Sequence, residues 1–299
     1  MTLKKTYKLQ DIYPTLQVKH TADTKPLTEE LSKLKFWCGK TIPKTNCCFS
    51  HIVGMPSHTH TLNEMKFMPH KEDLVKQACT NKHTKFQVNK SRQIGLTEIV
   101  LRIIQYLAFT KYAGGRIMVI AGTREKTTKK VMDRLKLLFQ NMPELLVPNT
   151  SSMNLEMTNG TQFEGFPSNS DAIRGDTKIR AIVVDEAAHF NLTDDSVVMN
   201  AIEPIVLTNK SDLYLVSTPR GQRGFFYDIG IGENDFKKLQ YDYTCAIGWI
   251  YSKEDMEQEL TRTDLDVDQE YRCQYTSSRS SIFGVISDEA TEEYEAEEY

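Results

Sequence analysis

The sequence lacks any run of about 18 consecutive apolar residues, the length that a membrane-spanning helix needs. Its N-terminus carries Lys4 and Lys5 with no apolar core behind them, so we expect neither a secretory signal nor a membrane partner. Cysteine is scarce, with six scattered residues in 299 and no C-x-x-C pair. In a chain without a secretory signal, this pattern favours reduced thiols and a cytoplasmic location over a disulfide framework.

Basic residues are missing from one end of the chain, where residues 288–299 hold seven acids and no base. The rest carries 37 bases against 33 acids, although the net charge of the whole chain is −3. A mildly basic body fits a nucleic-acid partner, and it fits ordinary surface charge equally well. Contents of 39% hydrophobic and 26% charged residues indicate a globular chain, long enough for one large α/β domain or two modest ones.

Segments with strand and helix periodicity alternate from residue 86 onward. They predict strands over residues 86–88, 116–121, 180–184, 213–216 and 239–243. Helices are predicted over residues 27–36, 71–80, 97–109 and 127–140. A hairpin over residues 153–166 is expected to turn at Asn159-Gly160. This order predicts βαβ units, and therefore an α/β fold with a mostly parallel central sheet flanked by helices.

Residues 90–97 read K-S-R-Q-I-G-L-T, which is close to the phosphate-loop pattern G-x-x-x-x-G-K-[ST] but lacks its lysine. Leu96 stands at the lysine position, and Lys90 or Arg92 would supply the missing charge. Gly95 would let the backbone approach a ligand, and the Thr97 hydroxyl would bind Mg²⁺. Such an octapeptide also occurs by chance before an apolar helix, so the segment alone is weak.

Two further predicted strands end in polar side chains. The strand at 180–184 runs into Asp185 and Glu186, which points both acids to the carboxyl edge of an open sheet, where ligands bind. There Asp185 would hold Mg²⁺ and Glu186 would polarise an attacking water. The strand at 213–216 runs into Ser217 and Thr218, hydroxyl groups that would sense loss of the γ-phosphate. The structural alternatives are a capped helix start and a plain turn.

In their order and spacing, these segments resemble the ATPase domain of the viral (phage-like) terminase large subunit, over roughly residues 65–285. The resembling segments are K-S-R-Q-I-G-L-T at 90–97, A-G-T-R at 121–124, D-A-I-R-G at 171–175, V-V-D-E-A-A-H-F at 183–190 and S-T-P-R-G at 217–221. The resemblance implies a P-loop NTPase (RecA/ASCE-like) fold with ATP and Mg²⁺ as cofactors. It also implies the coupling role of Ser217 and Thr218.

Residue by residue, the resemblance implies three sets of site residues. Asp185 and Thr97 would hold the metal. Glu186 would be catalytic, with Arg174 acting on a neighbouring subunit's ATP, Arg92 acting in cis as its rival, and Arg220 as a weaker third. The nucleotide would be held by Lys90, Ser91, Arg92, Gln93, Ile94, Gly95, Leu96, Thr97, Ser217 and Thr218.

Two places depart from the family's pattern. His70-Lys71 stands where terminases carry an aromatic-Gln segment that holds adenine. The family's nuclease domain would begin near residues 282–285, so we expect no nuclease activity from this chain. The expected organisation is an irregular segment at 1–65, the ATPase domain at 66–285 and an acidic, disordered tail at 286–299.

The implied function is a motor that hydrolyses ATP to translocate double-stranded DNA into a procapsid. By that resemblance it would act as a homo-oligomeric ring with a portal and a small terminase subunit, in the host cytoplasm and transiently at the procapsid portal. One alternative is a non-catalytic nucleotide-binding assembly module, made plausible by Leu96. Another is a helicase-like nucleic-acid remodeller, but the roughly 80 residues after Pro219 are too few for the second RecA-like domain it needs.

Two clusters of polar residues carry open interpretations. A structural zinc site would draw four ligands from Cys38, Cys47, Cys48, His51, His58 and His60, although their spacing matches no known finger, and buried small hydrophobes with surface histidines explain them as well. A DNA-backbone contact, or simply a solvated helix face, would explain the basic residues Arg124, Lys126, Lys129, Lys130, Arg134 and Lys136.

Overall fold

The protein is described by a computed structural model over most of its middle and C-terminal parts. The described residues are 55–56, 62–63, 68–79, 84–108, 111–122, 125–139, 149–157, 159–168, 173, 178–190 and 192–277. Among them, no helix is both long and apolar enough to cross a bilayer.

Strands and helices alternate through this part of the chain. The strands are β1 (Met55–Pro56), β2 (Leu62–Asn63), β3 (Lys85–Lys90), β4 (Arg116–Ala121), β5 (Asn149–Thr150), β6 (Asn154–Glu156), β7 (Gln162–Phe166), β8 (Ile179–Asp185), β9 (Asp212–Ser217) and β10 (Lys237–Tyr241). The helices are α1 (Pro69–Cys79), α2 (Leu96–Ala108), α3 (Glu125–Leu138), α4 (Leu192–Asn209), α5 (Gly224–Ile231), α6 (Lys253–Glu259) and α7 (Val267–Glu270). Short 3-10 turns follow β8 and β10, at Ala187–His189 and Tyr243–Ala246.

Eight of the strands form one sheet in the order β10-β3-β9-β8-β4-β7-β6-β5. Neighbours from β10 to β7 pair in parallel, and β7, β6 and β5 continue as an antiparallel meander. The central strands are buried on both faces, and every residue of β9 is buried. This explains their continuous apolar character, which is typical of parallel strands covered by helices on both sides.

The apolar core is divided by the sheet into two layers. Because successive side chains of a strand point to opposite faces, Ala181 and Val183 lie in one layer while Ile182 and Val184 lie in the other. The first layer is completed by α1, α2 and α3, and the second by α4 and α5. Helices on both faces leave the carboxyl edge of the parallel strands as the place for a ligand.

The pairing register brings four strand ends to that edge. Tyr241 is opposite Lys90, Asn89 is opposite Ser217, and Val216 is opposite Asp185. The strand β9 therefore separates the loop-bearing strand β3 from the acid-bearing strand β8. Residues that are about 95 positions apart along the chain meet because the strands are parallel and in step.

The predicted α/β fold class is confirmed, with differences at element boundaries. β3 continues to Lys90, so this lysine ends a strand instead of opening a loop, and α2 begins one residue early at Leu96. β10 ends at Tyr241, not 243 as predicted, because Asp242 caps the following 3-10 turn by accepting from the Thr244 N–H. The predicted hairpin is present as β6 and β7. The helix predicted at 27–36 lies outside the described residues, and the predicted domain boundaries and disordered tail stay predictions.

Candidate active site

A tight loop at residues 91–95 joins β3 to α2. Gln93 and Gly95 both have positive φ, at 56° and 79°, and this left-handed backbone turns the chain sharply into the helix. The first N–H groups of α2 have no partner within the helix, so the helix N-terminus presents donors and a partial positive charge. The Ser91 and Arg92 amides are engaged instead with the carbonyls of Tyr241 and Glu270, at 2.9 Å and 3.0 Å.

Lys90 lies at the centre of the strand edge. Its side chain is only 8% exposed, and its ammonium donates to Thr218 Oγ1 (3.4 Å) and lies 3.8 Å from Glu186 Oε1. A buried ammonium needs such partners, because burial without them costs several kcal/mol. Lys90 is thus held between a hydroxyl and a carboxylate at the edge of the sheet.

Arg92 points elsewhere. Its side chain is 53% exposed and forms an ion pair with Glu270 of α7 (3.3 Å), while its carbonyl accepts from the Tyr251 hydroxyl (2.7 Å). We call the set of Lys90, Asp185, Glu186 and Thr218 the inner side of the loop, and the set of Arg92, Glu270 and Tyr251 its outer side.

The two acids after β8 have different surroundings. Asp185 is buried and accepts a hydrogen bond from the Thr97 hydroxyl (3.0 Å). Burial, and then the neighbouring Glu186, raises its pKa to about 6, although Lys90, Arg134 and the Thr97 hydroxyl act in the opposite direction. Glu186 is 44% exposed and adopts a left-handed backbone (φ 52°, ψ 42°), which costs about 1–3 kcal/mol in a residue with a side chain. Such strain is concentrated at functional sites.

The Asp185–Thr97 pair suits a magnesium ion. Mg²⁺ prefers oxygen ligands, keeps several waters and binds one or two carboxylates together with substrate phosphates. A hydroxyl and a carboxylate 3.0 Å apart are such a donor set. The described residues contain no group of three or more His, Cys, Asp or Glu that would form an all-protein cage. The pair therefore fits a hydrated Mg²⁺ whose remaining ligands would be waters and phosphate oxygens.

Ser217 links the end of β9 to the turn after Glu186. The Ala188 N–H donates to Ser217 Oγ (3.1 Å), whose own proton goes to the Thr218 carbonyl (2.7 Å). Arg220 continues the contact by donating to the His189 carbonyl (3.1 Å). A shift of Glu186 would therefore reach Ser217 and Thr218 through the backbone of residues 187–189.

Three residues near the loop were not predicted as site residues from the sequence. Glu270 anchors Arg92, and His70 lies within hydrogen-bond distance of Ile94 O and Cys245 O, both at 3.2 Å. Lys71 is buried with its ammonium beside Gly95. Only the departure from the family pattern at His70-Lys71 drew attention to that place, and no local signal marked Glu270, because it is 178 residues away from Arg92 in sequence.

The basic helix α3 does not present all of its predicted residues to solvent. Arg134 pairs with Glu98, and Lys136 donates to the Ser152 carbonyl (2.8 Å). Lys126, Lys129 and Lys130 are exposed. Arg124, Arg174 and the cysteine–histidine cluster at 38–60 lie outside the described residues.

A cavity of about 800 Å³ lies beside this edge and not at Lys90. Its lining includes Arg220, Gly221, Arg262 and Asp266. Arg262 is already paired with Asp264 (2.7 Å), so the charge there is largely balanced. The convergent charged groups around Lys90 lie at the loop and not in this cavity.

Comparison with solved structures gives matches to phage terminases. The ATPase domain of the Thermus phage P74-26 large terminase matches with a TM-score of 0.53 and 19% identity, covering 74% of this chain and 99% of that one. A large terminase from a thermophilic bacteriophage, in complex with ADP, matches at 0.57 and 14%, covering 71% and 54%. The HK97 bacteriophage large terminase matches at 0.57 and 12%, covering 76% and 54%. This chain spans about half the length of the last two proteins, and at these identities the matches show the shared fold.

The family comparison adds sequence evidence that covers the site. Residues 88–287 match the model of the family described as "Terminase large subunit, T4likevirus-type, N-terminal". The matched range contains the loop, both acids and the Ser217-Thr218 segment. The chain therefore belongs to the terminase large subunit family and carries its N-terminal, P-loop NTPase domain.

Proposed function

We propose that this chain hydrolyses ATP with Mg²⁺ at the strand edge formed by β3, β9 and β8. The observation that carries the proposal is the position of Lys90, whose ammonium is buried between Thr218 and Glu186. A cation at this point would neutralise charge on the terminal phosphate, which is the main demand of phosphoryl transfer. Lys90 would thereby take over the role of the lysine that Leu96 replaces.

The remaining residues divide the other tasks. Thr97 and Asp185 would hold Mg²⁺, which when bound neutralises charge between the last two phosphates. Glu186, exposed enough to meet a water, would orient and polarise the attacking nucleophile. Ser217 and Thr218 would pass the loss of the terminal phosphate on to the segment that follows β9, since Ser217 already contacts the turn after Glu186.

We further propose that hydrolysis drives translocation of double-stranded DNA into a viral procapsid in the host cytoplasm. Family membership supports this role. In the proposed assembly the chain forms a ring with a portal and a small terminase subunit, and Arg174 reaches a neighbour's ATP. Exposed Lys126, Lys129 and Lys130 on α3 would contact the DNA backbone, which makes binding fall steeply with salt.

A non-catalytic nucleotide-binding module is the second candidate. Leu96 favours it, because this fully buried side chain leaves the loop without the usual lysine. A nucleotide would then bind and order the edge without being hydrolysed.

One experiment separates these functions. Mg²⁺-dependent ATP hydrolysis is measured with and without double-stranded DNA over a range of protein concentrations, with Glu186→Gln as the inactive control. The motor predicts hydrolysis that DNA stimulates and that rises more steeply than protein concentration, because an arginine acting between subunits requires assembly. ATP binding without hydrolysis under either condition would assign the chain to the module.

A further inference from the structure

Lys71 brings a second buried cation to the nucleotide loop. It lies in the first turn of α1, and only 5% of the residue is exposed. Its Nζ and Cε lie 3.2 Å and 3.3 Å from the position that a Cβ would take on Gly95. The ammonium therefore packs against Gly95, on the side where any other residue would carry its side chain.

His70, the residue before Lys71, places the start of α1 between the loop and the turn after β10. The ring nitrogens of His70 lie 3.2 Å from Ile94 O and 3.2 Å from Cys245 O, and His70 itself is buried. The Lys71 N–H donates to the Met68 carbonyl (3.0 Å), which starts the helix. Lys71 is thus held next to Gly95 by the contacts that position the start of α1.

The cationic residues near the loop, Lys90, Arg92 and Lys71, lie at three different places around it. Position 96 supplies no charge, because it is occupied by a leucine, whose side chain is buried in the apolar core. Lys90 is engaged with Glu186 and Thr218 at the end where hydrolysis would occur, and Arg92 is paired with Glu270 on the outer side. Lys71 lies at Gly95, next to the start of α2, where the free N–H groups of a helix attract anions.

We propose that Lys71 contacts the inner phosphates of the bound nucleotide and, together with Lys90, replaces the lysine absent at position 96. Lys90 serves the terminal phosphate and Lys71 serves the diphosphate part that ATP and ADP share. This assignment rests on the proposed nucleotide site. It adds a residue from α1, which precedes the loop in sequence, to the phosphate-binding set.

The test is equilibrium binding of ATP, ADP and AMP to the whole chain and to Lys71→Met. Loss of one charge-assisted contact predicts that ATP and ADP each bind about 10- to 100-fold more weakly, while AMP affinity changes much less. Lys71→Arg keeps the charge and is expected to recover part of the loss. Lys253→Met, which removes an equally charged but exposed side chain on α6, is the matched control and is expected to bind as the parent does.

The ratio of ADP to AMP affinity separates a phosphate contact from a structural effect. A partly unfolded variant would lose affinity for all three nucleotides by the same factor and leave the ratio unchanged, which would overturn the proposal. Unchanged ATP and ADP binding by Lys71→Met would overturn it too, while leaving the proposed function intact. Absence of any nucleotide binding by the parent chain would instead remove the proposed function, and the role of Lys71 with it.

Discussion

The inner and outer sides of the loop differ in how far their cationic side chains are buried. Lys90 and Arg92 are two residues apart, yet Lys90 is 8% exposed beside Glu186, whereas Arg92 is 53% exposed beside Glu270. A buried ammonium among acids at a strand edge is suited to act on a ligand, because low dielectric strengthens its interactions. The Arg92–Glu270 pair, half-exposed on the arginine side, is weakened by solvent and here attaches α7 to the loop. Position in the fold, and not the identity of the cation, therefore distinguishes the surroundings of the two residues.

The largest effect is expected from Glu186→Gln on the inner side. The amide keeps the shape but cannot take a proton, so hydrolysis should fall by about 100- to 10,000-fold, while ATP still binds. Single-turnover hydrolysis and equilibrium ATP binding measure the two quantities. Glu233→Gln, which changes an exposed acid after α5, is the control. Full hydrolysis by Glu186→Gln would remove this residue from the catalytic role.

Asp185→Asn is expected to stabilise the ligand-free protein. Because burial raises the pKa of Asp185 from 3.8 to about 6, the folded state keeps its proton where the unfolded state has released it. Stability is therefore lost as pH rises from about 4 to about 6, and the loss stays constant above that. The substitution should recover on the order of 2–3 kcal/mol at pH 7. Chemical denaturation at pH 4, 5, 6 and 7 without Mg²⁺ measures it, and the same pH dependence in both proteins would contradict the raised pKa.

Thr97→Ala removes the hydroxyl that contacts Asp185. We expect the Mg²⁺ concentration for half-maximal hydrolysis to rise about tenfold, since one oxygen contact is lost. Thr97→Ser keeps the hydroxyl and serves as the matched control. A titration with Mg²⁺ at saturating ATP gives the result, and an equal shift for Ala and Ser would show that the methyl group matters and the hydroxyl does not.

The smallest effect is expected on the outer side. Glu270→Gln weakens the ion pair with the half-exposed Arg92, so the free energy of unfolding should fall by less than about 1 kcal/mol and ATP hydrolysis should stay close to normal. Asp268→Asn, which breaks the pair between Asp268 of the same helix and Arg272 just after it, controls for changes to α7. Thermal unfolding and a hydrolysis assay test both. A large loss of hydrolysis in Glu270→Gln alone would place the outer side in the chemistry.

Much of this arrangement is predictable from the sequence, because local patterns carry it. Apolar runs ending in Asp185-Glu186 and in Ser217-Thr218 predict strands whose polar ends meet at one edge. The direction of Lys90 is not predictable, because it depends on β3 continuing to residue 90 and on β9 lying next to it. No local pattern encodes the position of Lys71, which contacts Gly95 24 residues later in sequence, or that of Glu270, which pairs with Arg92 178 residues earlier.

The proposal that Lys90 and not Arg92 contacts the phosphates is tested most directly by comparing ATP affinity in Lys90→Ala and Arg92→Ala. Both are measured by equilibrium titration at the same salt concentration. The inner position of Lys90 predicts that Lys90→Ala weakens ATP binding by about 10- to 100-fold, as expected for a charged contact. Arg92→Ala should stay within about threefold of the parent, since the half-exposed Arg92 pairs with Glu270 on the outer side of the loop. A larger loss in Arg92→Ala than in Lys90→Ala would contradict the account and give the phosphate-contacting role to Arg92.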